Sequence, residues 1–389
     1  MQTISFGHLS HPTELLLTCL AGFSCCVAVF PSYINWIKKK QFQQYVREDG
    51  PKSHAAKDKT PTAGGVVFTL LTPIFVPAAW WLFGYKVEVW HLIPLAVALI
   101  CGAVGFVDDF AKVTSRSNQG ISGYIRLAIE LGAGFCAGAI LVALNQNILF
   151  VPYPELFQQL FGGTISSALG SHFLGAWVPH PVFYILLSGF LVASTANAFN
   201  LHDGMDGLSS GTGCQVFACI SLILSFYGET FMQYSLLAAG VAGALSAFLV
   251  FNKYPARVFM GDTGSLFIGG LMGSLVLAGG MVFLFVPLAA IYIVEALSVM
   301  AQVIYFKLTK KMEGEEALPF YKVILTKLTK KLPGEGKRLL RMAPVHHHFE
   351  VVLQEKGVAE WQVVLMFWIV QSLICLSVIG FIISFVSFS

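Results

Sequence analysis

The stretch NAFNLHDGMDGL, residues 197–208, lies between the apolar runs FYILLSGFLVASTA (183–196) and CQVFACISLILSF (214–226). Asn200, Asp203 and Asp206 recur in it at three-residue intervals. A helical membrane span needs roughly 20 apolar residues, and a bare carboxylate is costly inside hydrocarbon. The acids therefore mark the junction of two spans rather than the middle of one. Two local readings stay open. Residues three apart share a helix face, while Asp203-Gly204 and Asp206-Gly207 are equally ordinary turn formers.

Composition agrees with a membrane reading. Hydrophobic residues are 56% and charged residues 12% of the chain, and the mean hydropathy is +0.72; a soluble domain carries about 25% charge. The expected fold class is all-α and polytopic. Ten spans are predicted, near 14–37, 64–84, 90–107, 125–145, 178–198, 210–228, 232–251, 264–280, 281–306 and 361–386. The eighth and ninth abut at Gly279-Gly280. These runs are long and continuous, unlike the short alternating strands of an outer-membrane barrel. Residues 1–389 are read as a single polytopic domain without an internal repeat. The first apolar run has no basic residue before it and no clear small-residue cleavage site, so it is read as a span rather than a signal peptide.

Basic residues orient the spans. Segments 38–63, 108–126, 252–257 and 307–360 hold 23 of the 24 Lys and Arg; the exception is Lys86. With ten spans those four segments share one side, which the positive-inside rule makes cytoplasmic. Both termini are then expected outside, with the Asp203 loop inside. The loop 307–360 carries Leu318, Tyr321, Leu325, Leu328 and Leu332 on one helical face and Lys322, Lys327, Lys330 and Lys331 on the other. That pattern predicts a short helix lying in the membrane interface. The eight cysteines show no paired spacing and are read as small apolar packers.

The acids gather where the chain meets the cytoplasm. Asp108-Asp109 end the third span in VDDFAKV, Asp203 and Asp206 follow the fifth, and Asp262 opens the eighth in MGDTGSL. Taken singly, each has a structural explanation: a helix end in water, a turn, a helix cap. Together, five carboxylates on one side of one membrane call for a cation, and oxygen ligands favour Mg²⁺ or Ca²⁺. Lys52, Lys57 and Lys59, Lys112 and Arg116, and Arg257 lie on the same face. Carboxylates, a hard dication and cationic side chains suit phosphoryl transfer. In MAPVHHHFE (342–350), the three adjacent histidines diverge by about 100° on a helix, so one or two at most can aim at a common point. A Zn²⁺ site there would lack a Cys or a second His cluster.

TPTAGG (60–65), VDDFAKV (107–113), NAFNLHDGMDGL, FNKYPARVFMGDTGSL (251–266) and MAPVHHHFE occur in the order found in the polyprenyl-phosphate N-acetylhexosamine-1-phosphate transferases, and the chain resembles that family over nearly its whole length. The triple histidine points to its muramoyl branch. The resemblance implies transfer of phospho-MurNAc-pentapeptide from UDP-MurNAc-pentapeptide to undecaprenyl phosphate, giving lipid I and UMP with Mg²⁺ as cofactor, at the bacterial cytoplasmic (inner) membrane. It implies catalytic roles for Asp108, Asp109, Asp262, His346 and His347, with Asp262 as the Mg²⁺ ligand. Lys57, Thr62, Lys112, Asn200, Asp203, Asp206, Asn252, Phe259, Gln302 and His348 are expected to bind substrate, Phe259 as a stacking surface for uracil. Membrane lipids are expected partners, a homodimer is compatible with the resemblance, and no nucleic acid is expected. The chain departs from the family's usual pattern at His202 (usually Thr), Met205 (Leu), Ala63 (Met) and Gln119 (Lys), and in a longer 307–341 loop.

Two other readings share some of these features. A sister enzyme that passes GlcNAc-1-phosphate to a polyprenyl phosphate would have the same aspartates. An ion-coupled transporter would use Glu295, Ser298 and Gln302, which line one face of the ninth span; but transporter sites usually lie near the midplane, whereas the aspartates sit at one surface.

Overall fold

The computed structural model describes residues 11–40, 60–115, 120–152, 155, 158–159, 165–167, 174–312, 319–330 and 332–386. Ten of its helices are long and apolar enough to cross a membrane. They are α1 (Pro12–Lys39), α2 (Gly65–Leu82), α3 (Val89–Ser115), α4 (Gly123–Ala143), α5 (Pro181–His202), α6 (Leu208–Phe226), α7 (Met232–Asn252), α8 (Gly261–Ala278), α10 (Ala290–Leu308) and α13 (Glu360–Val386). Shorter helices are α9 (Val282–Leu288), α11 (Phe320–Thr329) and α12 (Val345–Gln354). In hydrocarbon a helix is one of the few ways to satisfy every backbone N–H and C=O internally.

The helix α8 lies at the centre. It packs against α3 and α5, while α7 packs against α1 and α6. Its residues Thr263 to Ala278 are all buried, and small residues let its neighbours approach closely, as membrane helices prefer. Gly105 of α3 makes a tight crossing at the polar end: a Cβ there would lie 2.2 Å from the Asp262 carbonyl oxygen.

Three sequence expectations need correction. The ninth span was placed at 281–306, but the chain first makes the seven-residue α9, and the spanning helix starts at Ala290. Gly280 at φ +68° turns the chain after α8, and Pro287 lies in the last turn of α9. The fold is also not purely α. Strands β1 (Leu149–Pro152), β2 (Ile165–Ser167) and β3 (Leu174–Trp177) form an antiparallel sheet in the order β1-β3-β2 within the loop 146–177. Leu149, Phe150 and Val151 are buried there, and Phe150 N–H donates to Gly280 O at 2.7 Å. This fastens the sheet to the end of α8 opposite Asp262. Finally, Lys327 is buried in α11 and donates to Leu308 O at 3.2 Å, so it closes the C-terminal end of α10 instead of facing water. Phe320, Tyr321 and Leu325 form the exposed apolar arc of α11; Leu318 and Lys331 lie outside the described residues.

Candidate active site

The polar C-terminal part of α3 and the first turn of α8 meet through Asp109. Its carboxylate accepts from Asp262 N at 3.0 Å, from Thr263 N at 2.9 Å and from Thr263 Oγ1 at 2.7 Å. A helix N-terminus has N–H groups without internal partners and a positive dipole end, and a buried carboxylate answers both. Gly261 makes the approach feasible: it holds φ +75°, and a Cβ there would come within 2.7 Å of Asp109 Oδ2 and 3.1 Å of Thr62 Oγ1.

Asp108 points elsewhere because neighbouring helical side chains diverge by about 100°. It accepts from Ile121 N at 2.7 Å and pairs with Lys112 Nζ at 2.6 Å. The same Lys112 ammonium lies 2.5 Å from Asp262 Oδ2. The other oxygen of Asp262 accepts from Asn200 Nδ2 at 2.7 Å, and Asn200 also reaches Ser265 Oγ at 2.8 Å. Asp262 and Lys112 keep partial exposure, with relative side-chain accessibilities of 15% and 33%, whereas Asp108 has 4%. One cation thus bridges two carboxylates at the mouth of the bundle.

Arg126, Glu130 and Asn197 join this cluster, and the sequence reading had not singled them out. Arg126 Nη1 lies 3.9 Å from Asp262 Oδ2, and its Nη2 donates to Asn197 Oδ1 at 3.2 Å. Asn197 Nδ2 donates to Glu130, which is fully buried. The signal was present: Arg126 and Glu130, four apart and opposite in charge, stand on one face of an otherwise apolar span.

The NLHDGMDGL segment resolves into a helix end followed by a turn. Asp203 follows α5 and accepts from Ser209 Oγ. Burial pushes its carboxyl up to about 7; the nearby charges of Asp262, Asp109 and Asp206 add to the rise, and the Ser209 hydroxyl opposes it. Asp206 accepts from Ala256 N at 2.9 Å. Asn252 accepts from Gly207 N at 3.1 Å and Ser210 Oγ at 2.9 Å and donates to Val258 O at 3.1 Å. Asp206 and Asn252 therefore clamp the 203–207 turn to the 252–258 loop. Phe259 is half-buried beside it, its backbone paired with Pro61 and Gly64. Thr62 is buried next to Gly261, and Lys57 lies outside the described residues.

The three histidines of α12 separate as their spacing requires. His346 is fully buried, its Nδ1 3.1 Å from Glu295 Oε2. His347 Nδ1 pairs with Glu350 Oε2 at 2.8 Å, and its Nε2 faces Gly204. His348 turns away and accepts from Arg341 N at 3.2 Å. Gln302 accepts from Leu339 N and Leu340 N, both at 2.9 Å, and so braces the segment before the histidines. A cavity of about 390 Å³ lined by Gln302, Phe306, Lys307, Lys310 and Lys327 lies beside α10 and α11; the aspartates do not line it.

A ten-span helical bundle with carboxylates, an ammonium and a guanidinium gathered at one mouth is a polytopic membrane protein with a polar chamber at the ends of its spans. Residues 91–280 match the family described as Glycosyl transferase family 4. The chain is 35% identical to the phospho-N-acetylmuramoyl-pentapeptide-transferase of Shouchella clausii, over 92% of this chain and 94% of the relative. The relatives of that name from Oceanobacillus iheyensis and Clostridioides difficile are 33% and 34% identical over the same shares. The chain belongs to this family, the phospho-N-acetylmuramoyl-pentapeptide-transferases.

Proposed function

We propose that the chain transfers phospho-MurNAc-pentapeptide from UDP-MurNAc-pentapeptide to undecaprenyl phosphate, releasing UMP and leaving lipid I, at the cytoplasmic face of a bacterial inner membrane. The observation that carries this is the Lys112 ammonium held 2.6 Å from Asp108 and 2.5 Å from Asp262. It is a cation position between two carboxylates at the ends of spans. Such a site can meet a cytosolic anion on one side and a lipid phosphate on the other. The relatives' names support the substrate pair.

In the reaction, an oxygen of the lipid phosphate attacks the phosphorus bearing the sugar, and the bond from that phosphorus to UMP's phosphate breaks. Asp108 takes the residual proton of the acceptor. A phosphate monoester has its second pKa near ~6, so this contributes at most about 1.4 kcal/mol per unit of pKa. Positioning and charge stabilisation therefore carry most of the catalysis. Lys112 and Arg126 face the phosphate oxygens. Asp109 sets the angle of Asp262 by capping α8, and Asn200 holds the Asp262 carboxylate. Thr62, Asp203 and Phe259 bound the nucleotide-sugar end, His346 and His347 approach it through the Gly204 turn, and the resemblance adds Lys57, which lies outside the described residues. Direct attack is the preferred course, without an aspartyl adduct.

The donors fit a hard dication. Asp262 and Asp108 offer only oxygens, and a cation, Lys112 Nζ, already sits between them. Asp109 is engaged with α8 and is not a ligand here. Mg²⁺ held by Asp262 would neutralise pyrophosphate charge, with water and phosphate oxygens completing its shell. The apolar arc Phe320, Tyr321 and Leu325 is proposed to rest on the membrane surface beside the site.

A transfer assay with purified protein and both UDP-MurNAc-pentapeptide and UDP-GlcNAc as labelled donors tests the proposal. Label should pass to undecaprenyl phosphate from the first donor alone, with one UMP per product and none after chelation. Label passing from UDP-GlcNAc alone would move the chain to the sister reaction.

A further inference from the structure

His202, Glu295 and His346 come from α5, α10 and α12, and all three are fully buried. Their donor atoms lie within 4.8 Å of one another. No step of the transfer reaction uses His202 or Glu295. The separations are 3.3 Å from His202 Nδ1 to Glu295 Oε1 and 3.1 Å from His346 Nδ1 to Glu295 Oε2.

The protons can be assigned. Thr212 Oγ1 donates its one hydrogen to Leu208 O at 3.0 Å and receives that of Tyr292 at 3.1 Å. His202 Nε2, 3.1 Å from Thr212 Oγ1, is therefore the donor of that pair. In the neutral ring, Nδ1 then presents a lone pair to a carboxylate oxygen. With that tautomer two acceptors face one another at the buried centre, and a proton or a metal ion would lie between them. Neither ring nitrogen of His346 makes an aligned hydrogen bond among the described residues.

A proton and a metal ion are the two cations that could do this. Charge-assisted N–H···O bonds run about 2.7–2.9 Å and are well aligned; both separations here are longer, and the His346 contact is not aligned. Ligands about 2.0–2.1 Å from a tetrahedral Zn²⁺ lie about 3.3–3.4 Å from each other; the two contacts here are of that order but go to different oxygens of Glu295, so an ion would sit against both carboxylate oxygens and the two rings. A metal-bound histidine also donates its other N–H to a fixed partner, as His202 does to Thr212. The backbone is braced as well: Ser298 Oγ donates to Glu295 O at 2.7 Å, and Val345 N donates to Ser298 Oγ at 3.1 Å, fastening α12 to α10.

We propose that His202, Glu295 and His346 form a binding site for one late first-row dication of the Zn²⁺ class, distinct from the aspartate cluster, in which the ion ties the histidine helix α12 to the ends of α5 and α10. Two imidazoles and one carboxylate are the donors such ions prefer, and three protein ligands leave a fourth position for water. The second histidine that the triple-His motif lacks in sequence comes from a residue 144 positions earlier.

Co²⁺ is the probe, with purified full-length protein in detergent. One equivalent should produce the intense visible band of four- or five-coordinate Co²⁺, displaced by one equivalent of Zn²⁺ and unmoved by excess Mg²⁺. His202→Thr should weaken Co²⁺ binding by more than the roughly 10–100-fold typical of an outer-shell loss, and Thr212→Val by about that amount. Asp262→Asn should leave the band intact. A weak octahedral spectrum, no saturable Co²⁺ binding, or a band abolished by Asp262→Asn would overturn the site, and the first two would leave a proton shared among His202, Glu295 and His346. The Co²⁺ spectrum and its saturation are read on the unaltered protein, so those two outcomes do not depend on a variant folding.

Discussion

Asp109 of α3 holds Thr263 of α8 through both its backbone N–H and its hydroxyl, at 2.9 and 2.7 Å, although 154 residues separate them in sequence. The residue beside it, Asp108, makes no such contact and instead pairs with Lys112. The adjacent acids should therefore fail differently. Asp109→Asn places an amide where three donors converge and should cost about 1–3 kcal/mol, the range for a buried group left unsatisfied. Thermal unfolding in detergent should show a clear drop for Asp109→Asn and a smaller one for Asp108→Asn, with transfer reduced in both. Equal melting temperatures would remove the capping role.

Asp262→Asn should fold, because its backbone N–H still reaches Asp109. It should lose about 10²–10³ in transfer rate, as loss of a positioned charge stabiliser commonly does. Full activity with Mg²⁺ at ordinary concentration would take Asp262 out of the metal role.

If Asp108 acts as a base, the defect of Asp108→Asn should shrink as pH rises from 6.5 to 9.5, because the acceptor is then deprotonated without help. Turnover ratios measured across that range decide it. A constant ratio would leave Asp108 with positioning alone, and a phospho-sugar adduct trapped on Asp108 or Asp109 would replace direct attack.

The Asp203 carboxyl, ordinarily near ~3.9, is pushed up to about 7 by burial. The fold favours its protonated form, so this contribution to stability is complete below ~4 and is lost as pH rises through 7. Melting temperatures of the wild type should decline between pH 5 and 8.5, and Asp203→Asn, neutral throughout, should decline less. Parallel declines would mean that Asp203 is no more buried when ionised than when neutral.

Orientation is open to direct labelling. Single cysteines at the exposed positions Lys253 and Lys322 should react with an impermeant reagent only from the cytoplasmic side, and one at Lys86 only from outside. Lys327 is a poor reporter because it is buried against Leu308. Reaction of the Lys253 position from outside would invert the proposed topology.

Eight of the ten spans could be read from hydropathy with small shifts at their ends, because twenty apolar residues leave a chain few alternatives; the third was expected to end at 107, but α3 runs on to Ser115 and carries Asp108, Asp109 and Lys112 within the helix. The ninth was misplaced because α9 is as apolar as α10; what divides them is backbone geometry, to which hydropathy is blind. The site was legible as a set of residue types but not as a division of labour. That Asp109 caps α8 while Asp108 holds Lys112 depends on which way each side chain leaves one helix turn. Asp206, Asn252 and Gln302, expected from the sequence to bind substrate, each also hold backbone N–H groups, which spacing alone does not reveal. His202 looked like a mere departure from the family until Glu295, 93 residues later, proved to be its neighbour.

Lys112 reaches Asp108 and Asp262 from one turn further along α3, and this gives the chamber a tethered counter-ion. A dissolved ion at that position would come and go with the surrounding medium; this one stays at the end of a side chain. Bulk salt competes with it only weakly, because a partly buried pair is screened far less than an exposed one. The resting chamber therefore keeps its shape over a range of ionic strengths. On the proposed reaction, binding of a phosphorylated substrate would be an exchange in which Lys112 trades a carboxylate oxygen for a phosphate oxygen.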